Sequence, residues 1–284
     1  MKINEQIITV DGRKVHYCDA GETNPRSMIL LHGEFGNAHS NWETSLPALA
    51  EQYYVIAPDW PGFGRSDPIP AATLADWINW LQRLLETLNI KQTILIGASF
   101  GAMLARLFAG QAPKYVATLI LVDGGILSGA TGCAQTLAKL PVGAWLFRRL
   151  ANRTLARASL QKLFHNPAAL TPELAQQMAA EAGGLTGVMQ LLATSPVPEP
   201  KGLWTNTLIL WGDQDQLTPP EIGRRLRQIL PDATWIALAD CGHFPHLEET
   251  EVFTTQVLNH LEQLSRPRRS AGAGPLPTIP KHSR

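Results

Sequence analysis

One stretch of the chain holds a serine where a nucleophile could be made. Ser99 lies in "ILIGASFGAMLA", between Gly97 and Gly101, where an apolar run meets an alanine-rich one. A serine raised on a tight strand-to-helix turn needs small neighbours, because the turn forces unusual dihedrals and brings the helix close against the strand. Gly97, Gly101, Ala98 and Ala102 supply that clearance. Serine alone is a poor nucleophile. A histidine must take its proton, and a carboxylate must hold that histidine's tautomer and stabilise its charge. Both residue types follow in order: Gly212-Asp213-Gln214-Asp215 after "TLILWGD" begins, and Gly242-His243 after "WIALAD".

Those residues need elements that carry them to one place. The runs "QIITV", "KVHYCDA", "SMILLHG", "YYVIAPD", "TILIGAS", "ATLILVDGG", "TLILWGD" and "ATWIALAD" read as strands. Several are nearly continuously apolar, as expected where a parallel sheet is covered on both faces. Leu74, Trp77, Ile78, Leu81, Leu84, Leu85 and Leu88 recur at steps of three and four, which makes one helical stripe. Strands alternating with helices predict a doubly wound, mostly parallel α/β sheet of about eight strands, opened by an antiparallel hairpin around "DGR". Ser99 and the later carboxylate and histidine then stand at strand ends on one edge, where such sheets place ligands.

The rhythm breaks between about Ile126 and Trp204, where helical patterns run without strands and end in the proline-rich "TSPVPEPKG". The expected organisation is a core of residues 1–125 and 205–264, a helical cap of 126–204 inserted after the sixth strand, and a disordered tail of 265–284 rich in Pro, Gly, Ser and basic residues. With 24 basic residues against 24 acidic, 45% apolar and 17% charged residues, nothing suggests a field for steering onto nucleic acid or an anionic membrane. No apolar run reaches about 18 residues, and the start lacks the layout of a signal peptide, so membrane insertion and export are unsupported and the cytoplasm is expected. Three cysteines, Cys18, Cys133 and Cys241, are too few for a disulfide framework and read as structural thiols.

Four motifs in order, "LLHGEFGN", "PDWPGFGRSD", "GASFGA" and the pair "WGDQDQLTP" with "CGHFPHLE", resemble the α/β-hydrolase superfamily over roughly residues 5–264. The resemblance implies Ser99 as nucleophile and His243 as general base and acid. Its Gly-x-x-Asp spacing points to Asp215 as the acid. Asp213 is a neighbouring rival, and some members draw the acid from an earlier strand end, here Asp123 in "LVDGG". It also implies an oxyanion hole built from the backbone N–H of Phe100 and that of Glu34, the residue after His32-Gly33. A glutamate side chain at 34 is less usual than a small or apolar one, which leaves room for a second role at the pocket mouth.

Each motif also has a plainer reading. "CGHFPH" carries Cys and two His, yet one cluster without matching ligands is a poor zinc site, so neither metal nor cofactor is expected. "PGFGRSD" lacks the ending of a phosphate loop. His32 reads as a brace for the oxyanion loop, His246 as an ordinary loop histidine, and the basic "RRLRQ" as a solvated helix face. A serine at the elbow, where dehalogenating and epoxide-opening relatives carry aspartate, argues for acyl transfer to water. Phe35, Trp145, Phe147 and Met189 are candidate walls of an apolar acyl pocket. The expected function is therefore a carboxylesterase-type serine hydrolase acting on a small or medium hydrophobic ester. Carbon–carbon hydrolysis of ring-cleavage products and iminopeptidase-type amide hydrolysis share the triad and stand as alternatives, with a non-catalytic ligand receptor as a reading from another class.

Overall fold

The computed structural model describes residues 1–70, 72–126, 141–195 and 206–266. Its centre is an eight-stranded sheet: β1 (Asn4–Val10), β2 (Arg13–Ala20), β3 (Ser27–Leu31), β4 (Tyr54–Pro58), β5 (Thr93–Ala98), β6 (Val116–Val122), β7 (Asn206–Gly212) and β8 (Thr234–Leu238). The spatial order is β1-β2-β4-β3-β5-β6-β7-β8. β1 and β2 form the expected antiparallel hairpin, turning at Asp11 and Gly12, both with positive φ; β2 meets β4 antiparallel, and every later pairing is parallel.

The parallel strands are apolar along their length because both faces are covered. Leu95 of β5 points into one core with α3 (Leu74–Thr87) and α4 (Phe100–Gln111), whereas Ile94 and Ile96 point into the other, with α1 (Ala38–Trp42), α2 (Leu46–Leu49) and the chain's last described helix. Thr73 opens α3 with a capping box to Asp76, and the stripe expected there is buried as far as Leu85. Trp80 is buried too, off that stripe, because its ring packs on Trp60 at 5.5 Å.

Between β6 and β7 the described chain is helical: α5 (Pro141–Thr154), α6 (Arg157–Leu160), α7 (Pro172–Ala180) and α8 (Ala182–Thr194). These helices share a third apolar cluster with Phe35 and Phe244 from the core. The boundaries expected near 126 and 204, Cys133, and residues 267–284 of the expected tail lie outside the described residues; Ser265, expected to open that tail, is instead the last residue of the last described helix. After β7 come α9 (Pro220–Ile229), β8, α10 (Pro245–Glu248) and α11 (Thr250–Ser265).

Register puts the chemistry on one edge. Leu31 pairs with Gly97, Ala98 with Val122, Val122 with Leu210, and Gly212 with Leu238, so five strand ends deliver His32, Ser99, Asp123, Asp215 and His243 to the same side of the sheet.

Candidate active site

Ser99 sits between β5 and α4 with φ 50° and ψ −117°, a strained conformation for a residue with a side chain. Close packing holds it there. A Cβ on Gly97 would lie 2.4 Å from the Gly101 carbonyl oxygen, and one on Gly101 would lie 2.4 Å from that of Leu31. Glycine at both positions is what lets the helix start directly behind the serine. Ser99 itself is half-buried, its hydroxyl 2.8 Å from His243 Nε2.

The other imidazole nitrogen, Nδ1, lies 2.8 Å from Asp215 Oδ2. With a carboxylate there, Nδ1 carries the proton and donates it, which leaves Nε2 free to accept from the Ser99 hydroxyl. A turn after β7 holds Asp215. Its Oδ1 accepts from the backbone N–H groups of Leu217 (2.8 Å) and Thr218 (3.0 Å), and its Oδ2 accepts from the Thr218 hydroxyl at 2.6 Å. Thr218 is a member of the site that the sequence reading did not single out. The signal was present as a threonine three residues after the aspartate, the spacing of a side-chain-closed turn.

The three aspartates are sorted by geometry. Asp215 meets His243, whereas Asp213 is exposed and only its backbone N–H is engaged, donating to Leu238. Asp123 is fully buried beside Asp215; its Oδ1 accepts from Gly212 N–H at 2.8 Å, and Oδ2 has no protein donor. Burial first, and then the charge of Asp215, push the Asp123 carboxyl well above the usual range, in the direction of its neutral form. Burial also raises Asp215, but the charge and hydrogen bond of His243 and the bonds from Thr218 outweigh it, so Asp215 stays below its usual value. For His243 the balance is reversed: burial pulls the imidazole down, and the charge and hydrogen bond of Asp215 lift it above the ordinary value.

The remaining predicted residues divide. Phe100 follows Ser99 at the start of α4, braced by the ring of Trp77 at 5.6 Å. Its backbone N–H donates to the Glu34 side chain, Oε2 at 3.2 Å. His32 braces the loop, its Nδ1 against Gly33 O and its Nε2 accepting from Trp60 N–H; burial drops it to about 4, so it is neutral. Phe35 packs edge-on to His243 (6.5 Å) and Phe244 (6.0 Å), and Met189 joins their cluster. Phe147 is half-buried on α5. Trp145 is 61% exposed with the Arg149 guanidinium over its ring, and the structure does not bring it to this cluster; Ala151 of α5 and Leu155 just after the helix are buried there instead. His246 is less ordinary than expected. It is fully buried and tilted against Trp42 at 4.6 Å, its nitrogens lack protein partners, and burial drops it to about 3.

Among the described residues one grouping has metal-ligand types, Glu5, His16 and Cys18, within 4.8 Å of one another at the β1–β2 edge. The Arg65 guanidinium fills it, pairing with Glu5 at 2.5 Å and lying against His16 Nε2, while His16 Nδ1 is held by Asp59.

A hydrogen-bonded serine, histidine and aspartate at the ends of β5, β8 and β7 in this order of sheet, behind a glycine-packed elbow, define a hydrolase of the α/β class. The alpha/beta hydrolase family model matches residues 28–255, and the chain belongs to that family. The chain is 30% identical over 268 residues to a 2-hydroxy-6-oxononadienedioate/2-hydroxy-6-oxononatrienedioate hydrolase of Pseudomonas putida, covering 88% of this chain and 92% of that protein. In structure it is similar to a thermophilic esterase from Thermogutta terrifontis (TM-score 0.76, 23% identity, 93% of this chain and all of that one). It is similar as well to a meta-cleavage product hydrolase from Pseudomonas fluorescens IP01 (TM-score 0.74, 23% identity, 91% and 98%). Among the described residues no helix is long and apolar enough to cross a membrane.

Proposed function

We propose that the chain is a serine hydrolase of carbon–carbon bonds, acting on 2-hydroxy-6-oxo dienoates of the kind that ring cleavage produces. What carries this reading over simple ester hydrolysis is the likeness to the Pseudomonas putida hydrolase, which runs along most of both chains and so includes the helices between β6 and β7. A pocket of about 300 Å³ lined by Phe35 supports it, because Arg153 and Lys162 also line it and suit the carboxylate of a dienoate. In this reading the helices between β6 and β7 form a cap over the site.

Ser99 Oγ adds to the ketone carbon, C6, as its proton passes to His243 Nε2, and Asp215 stabilises the imidazolium through Nδ1–H. The oxygen gains negative charge, which the Phe100 and Glu34 backbone N–H groups take up. The C5–C6 bond then breaks. Its electron pair moves into the conjugated 2-oxo system that the hydroxydienoate forms in its keto form, and His243 returns the proton. Water, activated by the same histidine, splits the acyl-enzyme, so one water is consumed and one acid and one hydroxydienoate leave.

Ester hydrolysis is the second reading, favoured by a specific observation: the Glu34 carboxylate beside the oxyanion donor suits a neutral substrate better than one with two carboxylates. The two readings separate in one assay, in which loss of a dienoate's visible absorbance is followed beside release of p-nitrophenol from esters of rising chain length. A kcat/KM for the dienoate at least about tenfold above the best ester is expected; turnover of esters alone would remove the carbon–carbon reading. An alkyl fluorophosphonate should label Ser99 in either case, and absence of that adduct in folded protein would remove both.

A further inference from the structure

Residue 34 is required by the chemistry above only for its backbone N–H, yet its side chain lies at the reacting centre. Oε2 of Glu34 accepts from the Phe100 N–H at 3.2 Å, so a carboxylate oxygen already holds the donor that a substrate carbonyl oxygen must use. The same carboxylate is close enough to His243 to help raise its imidazole. Around it the wall is aromatic and apolar: Phe35 edge-on to His243, then Phe244, with Phe164 tilted on Phe244 at 4.7 Å.

We propose that Glu34 sets substrate choice at this site, admitting acyl fragments without a charge and rejecting those that end in a carboxylate. The proposal deepens the carbon–carbon reading and rests on it for the dienoate skeleton. When a carbonyl oxygen takes the Phe100 N–H, Glu34 Oε2 must give up that place, but its backbone stays in the loop after β3, so its charge remains within a side chain's length of the acyl group. The substrate named for the Pseudomonas putida relative has carboxylates at both ends. Its acyl fragment, C6 to C9, therefore ends in one. Bound here, that second carboxylate would lie in an apolar wall within several ångströms of a like charge, in a setting where water screens little. The class of substrate that fits is a monoacid dienoate with an alkyl or aryl acyl group, its single carboxylate toward Arg153 and Lys162.

The test uses the full chain and pairs that differ only in the terminal carboxylate: p-nitrophenyl butyrate against mono-p-nitrophenyl succinate, and 2-hydroxy-6-oxonona-2,4-dienoate against the corresponding dienedioate. The wild type should favour the uncharged member by at least about tenfold in kcat/KM, and Glu34→Gln should cut that ratio to within about threefold. Glu34→Ala serves as the second variant should the glutamine variant not fold. A wild-type ratio near one or reversed, or a ratio that neither variant changes, overturns the proposal. Discrimination within the ester pair with no turnover of either dienoate removes the carbon–carbon reading and leaves Glu34's role intact. Turnover of both dienoates with a ratio indifferent to residue 34 does the reverse. Where neither pair is turned over, rates of Ser99 labelling by an alkyl fluorophosphonate and its ω-carboxylate counterpart read the same ratio, and equal rates overturn the proposal.

Discussion

The two halves of the site are held in different ways. Along the sheet edge, two of the reacting groups are fixed by main chain close to them in sequence: Ser99 by the glycines two residues to either side, Asp215 by the N–H groups of Leu217 and Thr218. The helices between β6 and β7 reach that edge through a few polar ties between distant residues. Leu163 O accepts from His243 N–H at 2.7 Å, the Ser195 hydroxyl accepts from Leu74 N–H at 3.3 Å, and Glu181 joins two core loops. The contrast separates two problems. Bond-making chemistry needs geometry within fractions of an ångström and is built into rigid turns, whereas choice of substrate needs only a wall of the right shape and charge.

The largest effect should come from breaking the edge at its acid. Asp215→Asn should lower kcat by about 10⁴, because an amide opposite Nδ1 favours the wrong tautomer and leaves the imidazolium unsupported. Asp213→Asn should stay within about twofold, since that side chain is exposed and touches nothing in the site. Asp123→Asn should cost less than about tenfold, because an amide can still accept from Gly212 N–H and donate toward Asp215. A pH profile sharpens the comparison. His243 must be neutral to act as base, and its raised value puts the lower limb of kcat/KM above the ordinary 6.5; without the Asp215 charge the limb should move down. Stability follows the same sign. The His243 contribution is complete below 6.5 and fades as pH rises through its folded value, while that of Asp215 is present above 3.8 and fades as pH falls through its folded value.

Next in size is a break in the packing that holds the elbow. A Cβ on Gly124, two residues after β6, would lie 2.2 Å from the Ser99 carbonyl oxygen, a backbone atom that cannot step aside. Gly124→Ala should therefore destabilise the fold by about 3 kcal/mol and lower Tm by at least about 5 °C, with the fluorophosphonate rate falling alongside. An unchanged Tm would mean that the edge is softer than its contacts imply.

What could be read in the sequence follows the same division. The strands, the hairpin, the elbow and the order of serine, acid and histidine were all legible, because each is written in neighbouring residues: apolar runs, small residues around Ser99, strand ends before Asp215 and His243. Asp215 could be favoured over Asp213 only by family spacing, and the structure adds the physical reason, a turn that Thr218 closes. Trp145 was assigned to the pocket by its type alone, and the face of α5 it occupies depends on helices whose packing no local pattern records. The Glu34 side chain was visible as an oddity, but its contact with Phe100 joins residues 66 positions apart.

The smallest effect should come from Glu181, the tie with no sequence signal at all. It is buried at the junction of α7 and α8; Oε1 accepts from Asn37 Nδ2 at 2.8 Å and Oε2 from Gly64 N–H at 3.0 Å. Burial pushes its carboxyl up, and those two donors hold it partly back. Asn37 caps α1 just after the Glu34–Gly36 turn, and Gly64 belongs to the loop after β4, so one side chain pins the helices to both walls beside the site. Glu181→Gln keeps the shape but can accept from only one of the two donors, since its amide nitrogen faces the other as a second donor. The helices should then loosen over an intact edge: KM rising about threefold to fivefold, kcat within about twofold, and the fluorophosphonate rate for Ser99 unchanged. If kcat fell as far as kcat/KM, Glu181 would be acting on the chemistry through the Asn37 loop, and the separation between a rigid edge and an adjustable wall would not hold.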